Sequence, residues 1–146
     1  MRHLAFVSAL MLLGSRDCTF TGPRPGRTVT GTWGGDNAGL IADDSNAHVH
    51  VACTFGNLPH AIVLDATGRF DLAGEYTLRA FPIVVGPPLP ARFSGAVVGP
   101  LMTLTIVVTD TTADTTAVLG PVKLVRGREP VMYPCPICRS PRGRRG

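Results

Sequence analysis

The stretch Leu101–Thr109, "LMTLTIVVT", decides the fold. Met102, Leu104, Ile106 and Val108 fall on one side of a period of two, and Thr103, Thr105, Val107 and Thr109 on the other. Such alternation turns the apolar side to a core and the threonine side to water, as in an antiparallel sheet with one wet face. The same period extends in both directions along the chain. It predicts strands over Thr28–Trp33, Ala38–Ala42, Ala47–Phe55, Ala61–Leu64, Arg69–Arg79, Ala91–Val98 and Thr115–Val125. Turn chemistry separates them at Gly34-Gly35-Asp36, Asp43-Asp44-Ser45-Asn46, Thr67-Gly68, Gly99-Pro100 and the polar "DTTADTT" of residues 110–116. About eight strands with short connections close into a small antiparallel up-and-down barrel, which leaves no edge unpaired. A β-sandwich is the alternative all-β arrangement.

Composition agrees with this reading. Hydrophobic residues make up 45% of the 146, aromatics only 6%, and 17 Gly with 13 Pro punctuate the chain. The formal charge of +4 is a local matter: Arg139, Arg142, Arg144 and Arg145 lie in the last eight positions, and the rest is neutral. No aromatic residue interleaves with those arginines as a single-strand stacking site requires, so no specific nucleic-acid partner is expected. At the other end, Met1-Arg2-His3 is a basic start and Leu4–Leu13 a low-polarity run. That run is too short to span a bilayer at about 20 residues per crossing but suits an export signal. The expected organisation is a signal peptide over 1–15, a flexible Gly/Pro linker over 16–27, a β-barrel domain over 28–135 and a disordered basic tail over 136–146. The mature chain then carries no transmembrane segment and is secreted or periplasmic. Cys18, followed by the tether-like "CTFTGPRPGR", offers lipid anchoring as the alternative.

"HVHVAC", His48–Cys53, and "YPCPIC", Tyr133–Cys138, hold the residue types of a metal or redox centre. On a regular strand Ala47, Val49, Val51, Cys53 and Phe55 share one face, while His48 and His50 share the other. A single tetrahedral ion cannot collect ligands from both faces, and no metal or other cofactor is expected. His48 and His50 alone make at most a weak pair with no third ligand. Cys135-Pro136-Ile137-Cys138 has thioredoxin-type spacing, but it follows a β chain rather than opening a helix that would activate its first thiol. The remaining reading is structural: in an exported chain, Cys53 pairs with Cys135 to tie the end of the chain to the body.

"GTW", Gly31-Thr32-Trp33, resembles the Gly-x-Trp signature of lipocalins and the wider calycin barrels. The resemblance implies that Trp33 closes one end of a barrel beneath a basic residue of the last strand, Lys123 or Arg126. A disulfide from a mid-chain strand to the C-terminal segment is also similar to lipocalin practice. Over residues 30 to 135 the chain is similar, in addition, to small uncharacterised bacterial secreted proteins that begin "GTWGGD" and end with a cysteine after an "RG" turn.

The function expected is that of a non-catalytic binding module for a small apolar ligand or a protein partner, not an enzyme. If the barrel encloses a cavity, Trp33, Phe70, Tyr76, Phe93, Met102 and Leu104 are the candidate ligand-binding residues. Two alternatives are a calycin-type protease inhibitor acting through the N-terminal linker, and a thiol redox protein acting through Cys135 and Cys138.

Overall fold

The computed structural model describes residues 26–80 and 86–135. The expected leader, nearly all of the linker and the basic tail, with Cys18 and Cys138, lie outside the described residues. Ten strands follow in order: β1 (Thr28–Val29), β2 (Gly31–Gly35), β3 (Ala38–Ala42), β4 (Ala47–Val51), β5 (Thr54–Leu58), β6 (Ile62–Val63), β7 (Arg69–Thr77), β8 (Leu89–Val98), β9 (Leu101–Asp110) and β10 (Thr115–Arg126). Eight of them form a closed antiparallel barrel in the order β10-β2-β3-β4-β5-β7-β8-β9. The all-β barrel expected from the alternation is the fold.

The number eight survives although two of its members were misassigned. The expected strand Ala47–Phe55 is two strands, β4 and β5, joined at Ala52-Cys53 with Val51 opposite Thr54. Ala52 takes a left-handed φ of 51°, and its N–H donates to the Asn37 carbonyl at 2.8 Å. The turn therefore exchanges the faces: Phe55 points outward with the histidines, and Cys53 sits half-buried at a hairpin tip rather than in the core. Conversely, Ala61–Leu64 supplies only the two-residue β6, which pairs with β1 outside the barrel. Thr30 separates β1 from β2, and Gly31, the first residue of β2, takes a φ of 89°, so the expected first strand is also broken in two. Backbone bonds from Gly26 N–H to Leu64 O (2.9 Å) and from Leu64 N–H to Arg27 O (3.0 Å) extend this small ribbon into the last residues of the expected linker.

The barrel is lopsided. β7–β10 are 9 to 12 residues long and build a tall wall, whereas β2–β5 are five residues each and build a short one. The interior is a packed core. Trp33, Leu40, Val49, Leu58, Tyr76, Phe93, Met102, Leu104, Ile106 and Leu124 all face inward and are almost wholly buried. Large rings fit because glycines face them: a Cβ at Gly74 would lie 2.9 Å from the Phe93 ring, and one at Gly95 2.7 Å from the Phe70 ring. Tyr76 keeps a polar partner in the core, its hydroxyl lying 2.8 Å from Thr54 Oγ1.

Candidate functional site

After β10 the chain does not leave the barrel. Gly127, with φ 74°, turns it, and the Gly127 N–H donates to the Thr32 carbonyl at 2.7 Å. Residues 128–135 then lie as a strap across the outside of the short wall. Their seat is a pair of outward glycines, Gly34 and Gly39, which stand opposite each other in the β2–β3 pairing. A Cβ at Gly39 would come within 2.8 Å of Pro130 Cβ, and one at Gly34 within 2.6 Å of Pro130 N. No side chain other than hydrogen leaves room for the strap at this height. Val131 forms a parallel bridge with Asp36, donates to Gly35 O (3.0 Å) and accepts from Asn37 N–H (2.8 Å). The Tyr133 hydroxyl donates to the Asp36 carboxylate, and this bond, with the charge of the carboxylate, pushes the phenol pKa up. The disulfide between Cys135 and Cys53 (Cα–Cα 5.6 Å) fastens the end of the strap to the β4–β5 hairpin.

Beside the strap lies a groove of about 380 Å³, lined by Thr32, Ile41, His48 and His50 on the barrel side and Glu129, Pro130 and Met132 on the strap side. Ile41 is 62% exposed and Met132 40%, large values for apolar side chains in a folded domain. The two histidines form the polar end. His48 and His50 project from the same face of β4, and their Nε2 atoms are 2.9 Å apart. His48 Nδ1 is 2.6 Å from Asn57 Oδ1, across the β4–β5 pairing. Because an amide oxygen only accepts, His48 carries its proton on Nδ1 and offers Nε2 as the acceptor for the His50 Nε2–H. Phe55 packs against both imidazoles at centroid distances of 5.7 and 5.8 Å. Partial burial, and then the charge of His48, hold the His50 pKa below the ordinary histidine value, which favours the neutral ring.

The residues singled out in the sequence divide between core and strap. Trp33, Phe70, Tyr76, Phe93, Met102 and Leu104 come together, but inside the barrel as members of one hydrophobic core. The Trp33 indole N–H donates to Thr30 O at 3.2 Å, and Arg126 is its partner across the β10–β2 closure. Lys123 stands instead opposite Thr103. Cys53 and Cys135 are joined as expected, from a hairpin tip rather than an inward strand position. Sequence reasoning missed Thr32, Ile41, Asn57, Glu129, Pro130 and Met132. One signal was available for them: Gly34 and Gly39 occupy outward positions of regular strands, where a glycine often marks the close approach of another backbone.

Comparison of the chain with protein-family models, with curated proteins and with solved structures finds no match. Fold and site together define a closed eight-stranded antiparallel barrel whose outer short wall carries a disulfide-fastened strap and a groove beside it.

Proposed function

We propose that this protein is an exported, non-catalytic binding module, and that it takes a small apolar ligand in the outer groove rather than inside the barrel. The groove itself carries the reading. At about 380 Å³ it falls in the size range of small-molecule sites, and it combines an apolar floor with a few polar groups at its rim. Ile41 and Met132 supply the contact area, and Glu129, Thr32 and the imidazoles supply orientation. The imidazole nitrogens engage each other and Asn57, an arrangement that suits a fixed wall of a binding site. Export is supported by the Cys53–Cys135 disulfide, a bond that persists in oxidising compartments. Lipid anchoring through Cys18 is the alternative form of the same localisation.

The test is binding of a small apolar fluorophore, Nile red, to the oxidised protein. Ile41→Glu places a charge in the groove floor and should weaken the dye at least tenfold without changing the circular dichroism. Phe93→Leu alters the interior and should leave the dye affinity as it was. The opposite pattern, with Phe93→Leu abolishing binding and Ile41→Glu without effect, would move the site into the barrel.

A further inference from the structure

We propose that His48 and His50 form a bidentate imidazole site for a divalent copper ion on the outer wall of the barrel, an exchangeable site whose remaining coordination positions open into the groove. Three observations carry it. First, both rings rise from one face of one strand and bring Nε2 atoms to 2.9 Å. With metal–imidazole bonds of about 2.0–2.1 Å, nitrogens this far apart subtend roughly 90° at a shared ion. That is the angle between neighbouring ligands in a tetragonal field, which Cu²⁺ prefers, and it is narrower than the angle of roughly 109° in a regular tetrahedral site.

Second, His48 already has the outer partner that a ligating histidine needs. Asn57 Oδ1, 2.6 Å from Nδ1, holds the proton on that nitrogen and leaves the Nε2 lone pair for the ion. Third, the rings are held from below. Phe55 sits under both of them, at centroid distances of 5.7 and 5.8 Å, and it stands opposite His50 in the strand pairing as Asn57 stands opposite His48. The two imidazoles are thus mounted on a short hairpin that the Cys53–Cys135 bond anchors.

Binding changes little else. In the metal-free pair the His50 Nε2–H donates to His48, and chelation replaces that hydrogen bond with two metal–nitrogen bonds. His50 gives up its Nε2 proton to water and takes one on Nδ1, so the neutral pair enters the complex with no net loss of protons. His50 is exposed, which lets solvent carry the exchange. Glu129, on the far side of the groove, adds a carboxylate to its lining.

The experiment is titration of Cu²⁺, Ni²⁺ and Zn²⁺ chlorides into the full-length oxidised chain with remaining thiols alkylated. A His3→Ala background is used throughout, because a free amino terminus followed by histidine at the third position is itself a copper chelator. One Cu²⁺ per chain is expected, bound more tightly than Ni²⁺ or Zn²⁺, with electron paramagnetic resonance showing coupling to two imidazole nitrogens. His48→Gln and His50→Gln should each weaken Cu²⁺ at least tenfold. Asn57→Leu, which keeps both ligands and frees the His48 ring, should weaken it about tenfold, the low end of what loss of such a partner costs. Copper affinity unchanged in both histidine variants, a spectrum without two-imidazole coupling, or preference for Zn²⁺ over Cu²⁺ would overturn the assignment. The inference stands on the imidazole pair alone. The dye test with Ile41→Glu reads the apolar floor separately, so failure of one is distinguishable from failure of the other.

Discussion

Breaking the Cys53–Cys135 bond is the perturbation whose size the structure sets most directly. The bond closes a loop with a sequence separation of 82, which takes in most of the barrel. On the chain-entropy relation, a loop of this length restricts the unfolded chain by about 4.5 kcal/mol. Set against a total stability of roughly 5–15 kcal/mol for a domain of this kind, that is a large fraction. The perturbation is Cys135→Ser in a Cys138→Ser background, so that no neighbouring thiol substitutes for the lost one. The assay is urea unfolding followed by Trp33, the single tryptophan, which is only 2% exposed in the folded state. With a urea dependence of about 1–3 kcal/mol per M, the midpoint should fall by roughly 1.5–4.5 M. The urea dependence itself should steepen, because an unfolded chain free of its cross-link exposes more surface. A loss smaller than about 1 kcal/mol would refute the reasoning, since a loop this long cannot be closed for so little on that relation. So would a peptide map of the parent that joins Cys53 to another cysteine.

Two further outcomes follow from the strap and from the carboxylates. Gly39→Val should destabilise by about 1–3 kcal/mol in the same assay, because the new side chain displaces Pro130 from its seat. Valine is otherwise the better strand residue by up to about 1 kcal/mol, so a more stable variant would show that the strap does not press on Gly39. In acid, Asp43, Asp65, Asp71 and Asp110 act together, all held below the ordinary carboxylate range. At Asp110 burial pushes the pKa up, but the Arg79 guanidinium (2.8 Å) and the N–H groups of Ala113 and Thr112 outweigh it. Groups with depressed folded pKa values stabilise fully above their unfolded values near pH 4 and lose that contribution as pH falls through the folded ones. The stability gap between the parent and Asp110→Asn should therefore narrow from pH 6 to pH 2.5, and a constant gap would contradict it.

The barrel was legible because its tall wall is regular. In Leu101–Asp110 every even residue is buried, as the period of two requires, and β8 and β10 pair with it along most of their lengths. The short wall was harder for a definite reason. "AHVHVACTF" keeps its period of two except at Ala52, and neither Ala52 nor Cys53 is a turn former, so periodicity alone reads straight through the hairpin. The turn depends on a tertiary bond, the Asn37 carbonyl accepting the Ala52 N–H, which no local pattern encodes. The Cys53–Cys135 pairing holds although an inward Cys53, one of its two supports, does not; the return of the chain after the last strand is the support that stands. The groove escaped the periodicity, since three of its nine lining residues, Glu129, Pro130 and Met132, come from a segment with no period at all.

The division of labour between the two walls follows from where each places its glycines. Gly56, Gly74 and Gly95 face inward and make room for the rings of Tyr76, Phe93 and Phe70, so glycine here serves to fill the barrel. Eight strands leave an interior just wide enough for side chains, and rings of this size take up that space. Gly34 and Gly39 face outward, and there the vacated space admits backbone, the strap itself. A bare outer wall of five-residue strands would be convex and would offer a ligand nothing to enter. With a strap pressed onto two glycines beside Ile41 and the imidazoles, the same wall acquires two sides and becomes concave. The disulfide then has a local task beyond its effect on the unfolded chain: it keeps the far side of the groove at a fixed distance from the near one. Loss of the bond should for that reason weaken ligand and protein together, whereas a purely internal site would feel only the change in stability.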